Sequence, residues 1–217
     1  MDKDKKEEIK KCIEATKVVA IIRGMAPEIC VRLAKAYQEG GIRLVEVTFN
    51  QVGNPEDTVT AIKAIRAAYP DMHVGAGTVI TERQLDLAVG AGAEFIVTPN
   101  CNPAIIRKAN AAGLATMPGT ITPTEMVIAH EAGADYVKVF PVRALGPGYV
   151  KDVLAPLKHL KLIAVGGVSP ENAADYIKAG CVGVAASGSL VNREWIAAGE
   201  YDKIAAVARQ LISNCKI

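Results

Sequence analysis

The chain has 217 residues, half of them apolar and 5% aromatic, so it can bury a large core and is not mainly disordered. Its 25 basic and 23 acidic residues nearly cancel, and no basic run is interleaved with aromatic residues, so neither nucleic acid nor an anionic membrane is an expected partner. The longest aliphatic runs, such as residues 18–22, fall far short of the ~20 residues that a membrane-spanning helix requires.

The N-terminus is charged and has no apolar segment behind it, so no signal peptide is predicted and we expect a cytoplasmic protein. Five cysteines are widely spaced without a C-x-x-C pair, which is typical of reduced, mostly buried thiols. Neither a disulfide framework nor a zinc site is predicted.

Residues 1–16 are predicted to form an extra N-terminal helix. Ile9, Cys12, Ile13 and Thr16 recur at helical spacing among Lys and Glu residues, so they form one apolar face. We expect this face to pack on the fold that follows, and the helix to carry no chemistry.

After an opening strand at residues 17–22, one pattern recurs: a helical stretch, a glycine, and a short aliphatic strand. Five copies are plain, with the glycine at positions 41, 92, 113, 133 and 180. Glycine just past a helix end is a common left-handed cap, and the run after it is typical of a buried parallel strand. Two of the spacings between successive glycines, 41 to 92 and 133 to 180, are each about twice as long as the others. Two further units are therefore predicted, with helices at residues 56–69 and 148–157.

Eight strands are therefore predicted. In chain order they are residues 17–22, 44–49, 73–77, 94–98, 114–118, 136–140, 161–165 and 182–186. Eight alternating units predict an α/β protein with a (β/α)8 TIM barrel, in a single domain over residues 1–217 whose N-terminal helix packs on the barrel or caps its bottom. The alternative is a doubly wound open sheet.

Two charged residues stand where a barrel strand should be apolar. Glu46 lies within residues 44–49, and Lys138 within residues 136–140. A structural ion pair inside the barrel would account for both. The alternative, which we favour because barrel interiors are mostly aliphatic, is a lysine made nucleophilic by burial with a carboxylate as its general acid and base.

Polar residues and glycines also follow the predicted strands, at the end of the barrel where active sites of this fold lie. Glycine turns after strands 7 and 8, with Gly166 and Gly167 in one and Gly188 and Ser189 in the other, predict a phosphate site built from backbone N–H groups. For any one of these turns, a tight strand-to-helix connection is the simpler explanation.

Other motifs are incomplete. The run that begins at Gly75 lacks the third glycine of a dinucleotide site, and no Walker lysine is present, so no nucleotide is predicted. His73, His130 and His159 are scattered, so we expect no catalytic metal and no cofactor. Ser187 and Ser189 have no evident His/Asp relay, which disfavours serine hydrolysis.

Several motifs, in order and at strand ends, carry a family resemblance. They are Val45-Glu46-Val47-Thr48, Gly75-Ala76-Gly77-Thr78-Val79, Val137-Lys138-Val139-Phe140-Pro141 and Gly166-Gly167-Val168. With them the chain resembles the 2-keto-3-deoxy-6-phosphogluconate (KDPG) and 4-hydroxy-2-oxoglutarate (KHG) aldolase family over residues 17 to about 212. The resemblance implies a metal-free class I aldolase, usually a homotrimer, whose small-molecule substrate is a phosphorylated keto acid. Cleavage would give pyruvate and glyceraldehyde 3-phosphate, and 4-hydroxy-2-oxoglutarate is a further expected substrate.

The resemblance also implies roles for individual residues. Lys138 matches the Schiff-base lysine and Glu46 the general acid and base. Thr78 and Pro99 match positions at the pyruvyl end, and Phe140 is expected to pack beside the imine. The phosphate loop is matched by Gly166, Gly167, Gly188 and Ser189.

The chain departs from the family pattern at two places. Asn50 and Gln51 stand where many members carry Arg-Thr, the arginine holding the substrate carboxylate, so we expect Arg23 to take that role. Val165 stands where gluconate-specific members often carry threonine, which leaves the galactonate epimer as an alternative substrate. The runs at residues 98–100, 145–151 and 165–172 also resemble the phosphogalactonate branch.

Two other functions remain open from the residues alone. One is a non-catalytic barrel that binds a sugar phosphate and in which Glu46 and Lys138 merely pair. The other is an isomerase in which Glu46 is a base and Lys138 an electrophile.

Overall fold

The computed structural model describes residues 3–217, with side chains from Lys5 onward, so the first two residues of the predicted N-terminal helix lie outside the described residues. The strands are β1 (Val18–Ile22), β2 (Leu44–Thr48), β3 (His73–Gly77), β4 (Phe95–Val97), β5 (Ala115–Met117), β6 (Gly119–Thr120), β7 (Val137–Val139), β8 (Leu162–Val165) and β9 (Gly183–Ala186). The helices are α1 (Lys3–Thr16), α2 (Pro27–Glu39), α3 (Pro55–Ala68), α4 (Glu82–Gly90), α5 (Pro103–Ala111), α6 (Pro123–Glu131), α7 (Gly146–Leu154), α8 (Ala173–Lys178), α9 (Arg193–Ala198) and α10 (Tyr201–Cys215), with a 3-10 turn at Val142–Ala144.

The strands form one parallel sheet in the order β5-β4-β3-β2-β1-β9-β8-β7-β6. The two ends of this order, β5 and β6, are separated only by Pro118 and are parts of one extended segment. The backbone N–H groups of Tyr136 and Lys138 donate to the carbonyls of Thr116 and Pro118, at 3.1 and 2.9 Å. The sheet therefore closes on itself, which confirms the predicted barrel and excludes the open doubly wound sheet.

The fifth predicted strand differs from the prediction. Sequence analysis predicts one strand at residues 114–118, whereas the structure has the two short segments β5 and β6. The division falls at Pro118, which has no N–H to donate to a neighbouring strand. The other seven strands lie within one residue of their predicted ends.

Alternate residues of each strand face two different apolar layers. In β1, Val18, Ala20 and Ile22 pack against the helices, whereas Val19 and Ile21 point into the barrel interior. This alternation decides which strand residues can reach the interior, because successive side chains point to opposite faces of a strand.

Helix α1 closes the bottom of the barrel. Ile9 and Ile13 are fully buried among the interior side chains, next to Tyr136. Burying each isoleucine contributes about 1.5–3 kcal/mol. The carboxylate of Asp135 holds the helix by an ion pair to Lys10 at 3.3 Å. This confirms that the N-terminal helix packs on the barrel.

Side-chain caps start several helices soon after a strand ends. Thr81 and Gln84 form a reciprocal capping box at α4, and Thr122 and Glu125 form another at α6. The side chain of Asn54 caps α3 in the same region of the fold. Such caps satisfy the first N–H groups of a helix and keep the strand-to-helix loops short and ordered.

Candidate active site

Both charged side chains that stood out in the predicted strands point into the barrel interior. Glu46 is the third residue of β2 and Lys138 is the middle residue of β7, and their exposed fractions are only 1% and 5%. Together with apolar side chains such as Val97 and Ile163, they line one small interior cavity. The structure therefore brings the two residues together in an apolar environment.

The surroundings of Lys138 favour its neutral amine. Burial lowers the pKa of Lys138, and the nearby Arg23 guanidinium lowers it further, while the Glu46 carboxylate acts in the opposite direction. The Phe140 ring lies beside the amine, with its centroid 4.5 Å from Nζ. A neutral amine is the form that attacks a carbonyl carbon.

The surroundings of Glu46 favour the protonated form of its carboxyl group. Burial raises the pKa of Glu46, and Lys138 and Arg23 oppose this effect. Its Oε2 atom is buried and has no hydrogen-bond partner among the described residues. Because an unsatisfied buried acceptor costs about 1–3 kcal/mol, this oxygen gains from a proton or from a ligand group that donates to it.

Two larger cavities lie near this interior cavity. The first, which we term the β8–β9 cavity, opens above Lys138 and has a volume of about 410 Å³. Its lining includes Arg23, Lys138, Phe140, Arg143, Val165, Gly166, Gly167, Gly188 and Ser189. The four residues predicted to bind phosphate therefore lie together on one wall. No acceptor among the described residues takes the backbone N–H of Gly167, Gly188 or Ser189, so these groups can bind an anion.

One side-chain hydrogen bond joins the two glycine loops, and another orders the loop after β8. The Ser189 hydroxyl donates to the carbonyl of Val168 at 2.8 Å, and the Asn172 amide donates to the carbonyl of Gly167 at 2.9 Å. The hydroxyl of Ser189 thus connects the loops, and the backbone N–H of Ser189 is the group that can bind a ligand.

Sequence analysis did not identify Arg143, which also lines the β8–β9 cavity. It lies in the 3-10 turn after β7, five residues beyond Lys138. Its position just after the strand that carries Lys138 could have indicated a role in the active site, because the loops after the strands line the active-site end of this fold.

A second cavity, the β2–β3 cavity, has a volume of about 320 Å³ and is lined by Arg23, Thr48, Asn50, Gln51 and Thr78 among others. Within the described part of the chain, Arg23 is the only charged residue in this lining. Because Arg23 also lines the β8–β9 cavity, it stands between the two.

Thr78 and Gln51 form a connected unit at the β2–β3 cavity. Thr78 has a φ of +56°, a left-handed conformation that is rare for a β-branched residue. The Gln51 amide donates to the Thr78 carbonyl at 3.0 Å, and the Gln84 amide donates to the Gln51 side chain at 2.9 Å. Gln51 therefore orders this loop. Being uncharged, it does not supply the positive charge that an arginine would offer to a substrate carboxylate.

Pro99 is half-buried and is absent from the lining of both cavities as the described residues form them. Its backbone lies against Gly119, where an added Cβ would come within 2.4 Å of the Pro99 carbonyl. The Pro99 backbone thus packs against Gly119, outside the linings of these two cavities.

Two properties of the described residues bear on other functions. No group of three or more His, Cys, Asp and Glu side chains is arranged to hold a metal ion within the region that the structure covers. No helix in that region has both the length and the apolar composition to cross a membrane.

Comparison with known proteins identifies similar chains. The family model described as "KDPG and KHG aldolase" matches residues 9–207. The chain is 39% identical over 175 residues to the 2-dehydro-3-deoxy-6-phosphogalactonate aldolase of Escherichia coli (strain K12), covering 80% of this chain and 83% of that protein. It is 34% identical over 201 residues to the 2-dehydro-3-deoxy-phosphogluconate aldolase of Treponema pallidum (strain Nichols), covering 92% and 94%.

A solved structure extends this similarity to the fold. It is the KDPG aldolase of Legionella pneumophila, described with pyruvate captured at low pH as a covalent carbinolamine intermediate. Its TM-score is 0.82 at 25% identity, and the match covers 92% of this chain and 96% of that one.

Proposed function

The chain belongs to the KDPG and KHG aldolase family, and we propose that it is a Schiff-base aldolase that cleaves 2-keto-3-deoxy-6-phosphogluconate to pyruvate and glyceraldehyde 3-phosphate. One observation carries this proposal: a buried lysine and a buried carboxylic acid share an apolar cavity at the active-site end of a closed barrel. The carbinolamine described for the Legionella pneumophila enzyme supports covalent chemistry with pyruvate in the family.

Covalent binding begins at Lys138. Its neutral amine attacks the ketone at C2, and proton transfer gives a carbinolamine. Glu46 donates a proton to the carbinolamine hydroxyl, which leaves as water and produces an iminium ion. The lowered pKa of Lys138 and the raised pKa of Glu46 both favour this sequence, because it needs a free amine and a protonated acid.

Carbon–carbon cleavage then uses Glu46 as a base. The carboxylate takes the proton of the C4 hydroxyl, directly or through water, and the bond between C3 and C4 breaks. Its electron pair moves toward the iminium nitrogen and forms an enamine, while glyceraldehyde 3-phosphate leaves. Glu46 returns the proton to C3, and water hydrolyses the new iminium ion to pyruvate and free Lys138.

The two cavities support the placement of a doubly anionic substrate. Arg23, beside the catalytic pair, is proposed to hold the carboxylate next to the ketone, with Thr78 and Pro99 at the pyruvyl end and Phe140 against the imine. Gly166, Gly167, Gly188 and Ser189 are proposed to bind the phosphate through backbone N–H groups, which suit an anion. Because the chain's net charge is only +2, attraction of the substrate must come from these local groups.

The galactonate epimer is a second candidate substrate. Val165 lines both the interior cavity and the β8–β9 cavity, and its side chain cannot donate a hydrogen bond to a substrate hydroxyl. The chain is also more similar to the Escherichia coli phosphogalactonate aldolase, at 39% identity, than to the Treponema pallidum phosphogluconate aldolase, at 34%, which favours this epimer. Both epimers would give the same two products, so the mechanism is unchanged.

A homotrimer and a cytoplasmic location are also proposed, both from the family resemblance. All five cysteines are free thiols, which suits a reducing compartment. Light scattering on the purified protein should give three times the mass of one chain, and a monomer or dimer would contradict the trimer.

Borohydride trapping tests the proposed chemistry. Reduction in the presence of pyruvate should leave a stable adduct on Lys138, mapped by mass spectrometry, and Lys138→Ala should abolish it. Lys161→Ala is a matched control, because Lys161 is exposed and lies outside the site. An unmodified protein that still binds sugar phosphates would indicate a non-catalytic barrel, and isomerisation without trapping would indicate an isomerase.

A further inference from the structure

The stem of Arg143 lies flat on one of the glycine loops. An ideal Cβ built on Gly167 would come within 2.8 Å of Arg143 Cβ and 2.9 Å of its Cδ, so the bare glycine backbone leaves room for the arginine side chain. The backbone N–H of Arg143 also donates to the carbonyl of Gly166 at 3.1 Å. These contacts hold the arginine against the loop that lines the β8–β9 cavity.

The charged end of Arg143 is available to a ligand. Within the part of the chain that the structure describes, its guanidinium makes no ion pair and donates no hydrogen bond, and no acidic residue lines the β8–β9 cavity. The guanidinium carries five N–H donors in a fork that matches phosphate oxygens. Arg143 lines the same cavity as the free backbone N–H groups of Gly167, Gly188 and Ser189.

The two arginines of this cavity occupy different parts of it. Arg23 is close enough to the catalytic pair to lower the pKa of both Lys138 and Glu46, whereas Arg143 affects neither. Arg23 also lines the β2–β3 cavity, and Arg143 does not. A substrate with a carboxylate beside its ketone and a phosphate at its far end would present one anionic group to each arginine.

We propose that Arg143 binds the phosphate of the substrate and makes the enzyme discriminate in favour of phosphorylated aldehydes and keto acids. This inference rests on the proposed aldolase function. In this proposal the affinity for phosphate comes from the Arg143 side chain as well as from the backbone N–H groups of the glycine loops.

The test compares two aldehydes that differ by the phosphate group. Condensation of pyruvate with glyceraldehyde 3-phosphate, and with unphosphorylated glyceraldehyde, is measured as kcat/KM for the aldehyde. Arg143→Ala and Arg143→Gln should lower the value for glyceraldehyde 3-phosphate by about 10- to 100-fold, the effect of one lost charged hydrogen-bonding partner, and leave that for glyceraldehyde unchanged. Arg143→Lys should fall between the variants and the wild type, because a point charge replaces the fork.

Arg107→Ala is the matched control, since Arg107 is exposed on α5 and its loss changes the net charge by the same amount. It should behave as the wild type with both aldehydes. Equal losses for both aldehydes in Arg143→Ala, or no loss for either, would overturn the inference. Inhibition by inorganic phosphate gives a second measurement: its Ki against glyceraldehyde 3-phosphate should rise about 10-fold in Arg143→Ala, and an unchanged Ki counts against the inference.

Borohydride trapping with pyruvate separates this inference from the proposed function. Pyruvate has no phosphate, so each Arg143 variant should form the Lys138 adduct at the wild-type rate, which also shows that the variant is folded. A wild-type protein without the adduct would refute the aldolase proposal itself. A normal adduct with unchanged phosphate discrimination would refute only the role of Arg143.

Discussion

The carboxyl group of Glu46 occupies the space that a side chain on Gly77 would fill. An ideal Cβ at position 77 would lie 2.9 Å from both Cδ and Oε1 of Glu46. Gly77 pairs with Thr48 in the neighbouring strand, and the same Cβ would lie 2.9 Å from the Thr48 methyl group. The missing side chain on β3 therefore sets the position of the proposed acid and base on β2.

Gly77→Ala is expected to displace the Glu46 carboxyl group and lower kcat by about 100-fold, since a shift of about 1 Å at a reacting group has that effect. The Lys138 adduct with pyruvate should still form, although more slowly, because the lysine lies on another strand but Glu46 also assists the loss of water from the carbinolamine. Cleavage rates and borohydride trapping measure the two effects. Gly90→Ala is the control, because a Cβ there meets no heavy atom within 4 Å. Wild-type kcat in Gly77→Ala would contradict the positioning role.

Glu46→Gln is expected to lower kcat by about 10²- to 10⁴-fold, the usual contribution of general acid and base catalysis. The amide keeps the shape of the side chain but cannot pass a proton between the C4 hydroxyl and C3. Exchange of the pyruvate methyl hydrogens with deuterated water, followed by NMR, should slow together with cleavage. Exchange at the wild-type rate would assign the proton transfer to another group.

Arg23→Gln is expected to move the pH profile of adduct formation to higher pH. Arg23 lowers the pKa of Lys138, so its removal raises that pKa, and a higher pH is then needed to free the amine. Trapping rates at saturating pyruvate across pH measure this shift. Arg143→Gln is the control, because Arg143 affects the pKa of neither Lys138 nor Glu46. An unmoved or downward-shifted profile in Arg23→Gln would contradict the assignment.

His73→Gln is expected to reduce stability in a pH-dependent way. The Cys12 thiol and the Glu94 carboxylate raise the pKa of His73 to about 9, and His73 Nδ1 lies 3.0 Å from Glu94 Oε2. A raised pKa in the folded state stabilises the protein fully below the ordinary value of about 6.5, and the effect is lost as the pH rises through the folded value. The difference in unfolding free energy between wild type and variant, measured in urea, should therefore shrink from neutral pH to pH above 9. A constant difference would show that the charge of His73 does not contribute.

Val165→Thr is expected to shift the epimer preference toward 2-keto-3-deoxy-6-phosphogluconate. The new hydroxyl would face the β8–β9 cavity and hydrogen-bond the substrate, which is worth about 2- to 10-fold in the ratio of the two kcat/KM values. Both epimers are assayed with wild type and variant by pyruvate release. Val168→Thr, at a position that also lines this cavity but belongs to the glycine loop, is the comparison. An unchanged ratio would remove Val165 from the determinants of specificity.

Much of the fold could be predicted because its signals are local. The glycine that ends a helix and the aliphatic run after it mark five strands, their spacing indicates two more, and seven of the eight predicted strands lie within one residue of their predicted ends. Glu46 and Lys138 stood out because a charge in an aliphatic strand is costly to bury. The break at Pro118 was missed, although proline in a strand is itself a local signal.

By itself, the sequence determined the order of the elements, the strand positions, and which charged side chains belong to the barrel interior, since strand alternation depends only on neighbouring residues. Only the tertiary structure decided which groups from distant strands meet. It showed that Gly77 makes room for Glu46, that Gln51 orders Thr78, and that Arg143 reaches over Gly167 into the β8–β9 cavity. These relations depend on strand register and loop path, which arise when the sheet closes and which no local pattern encodes.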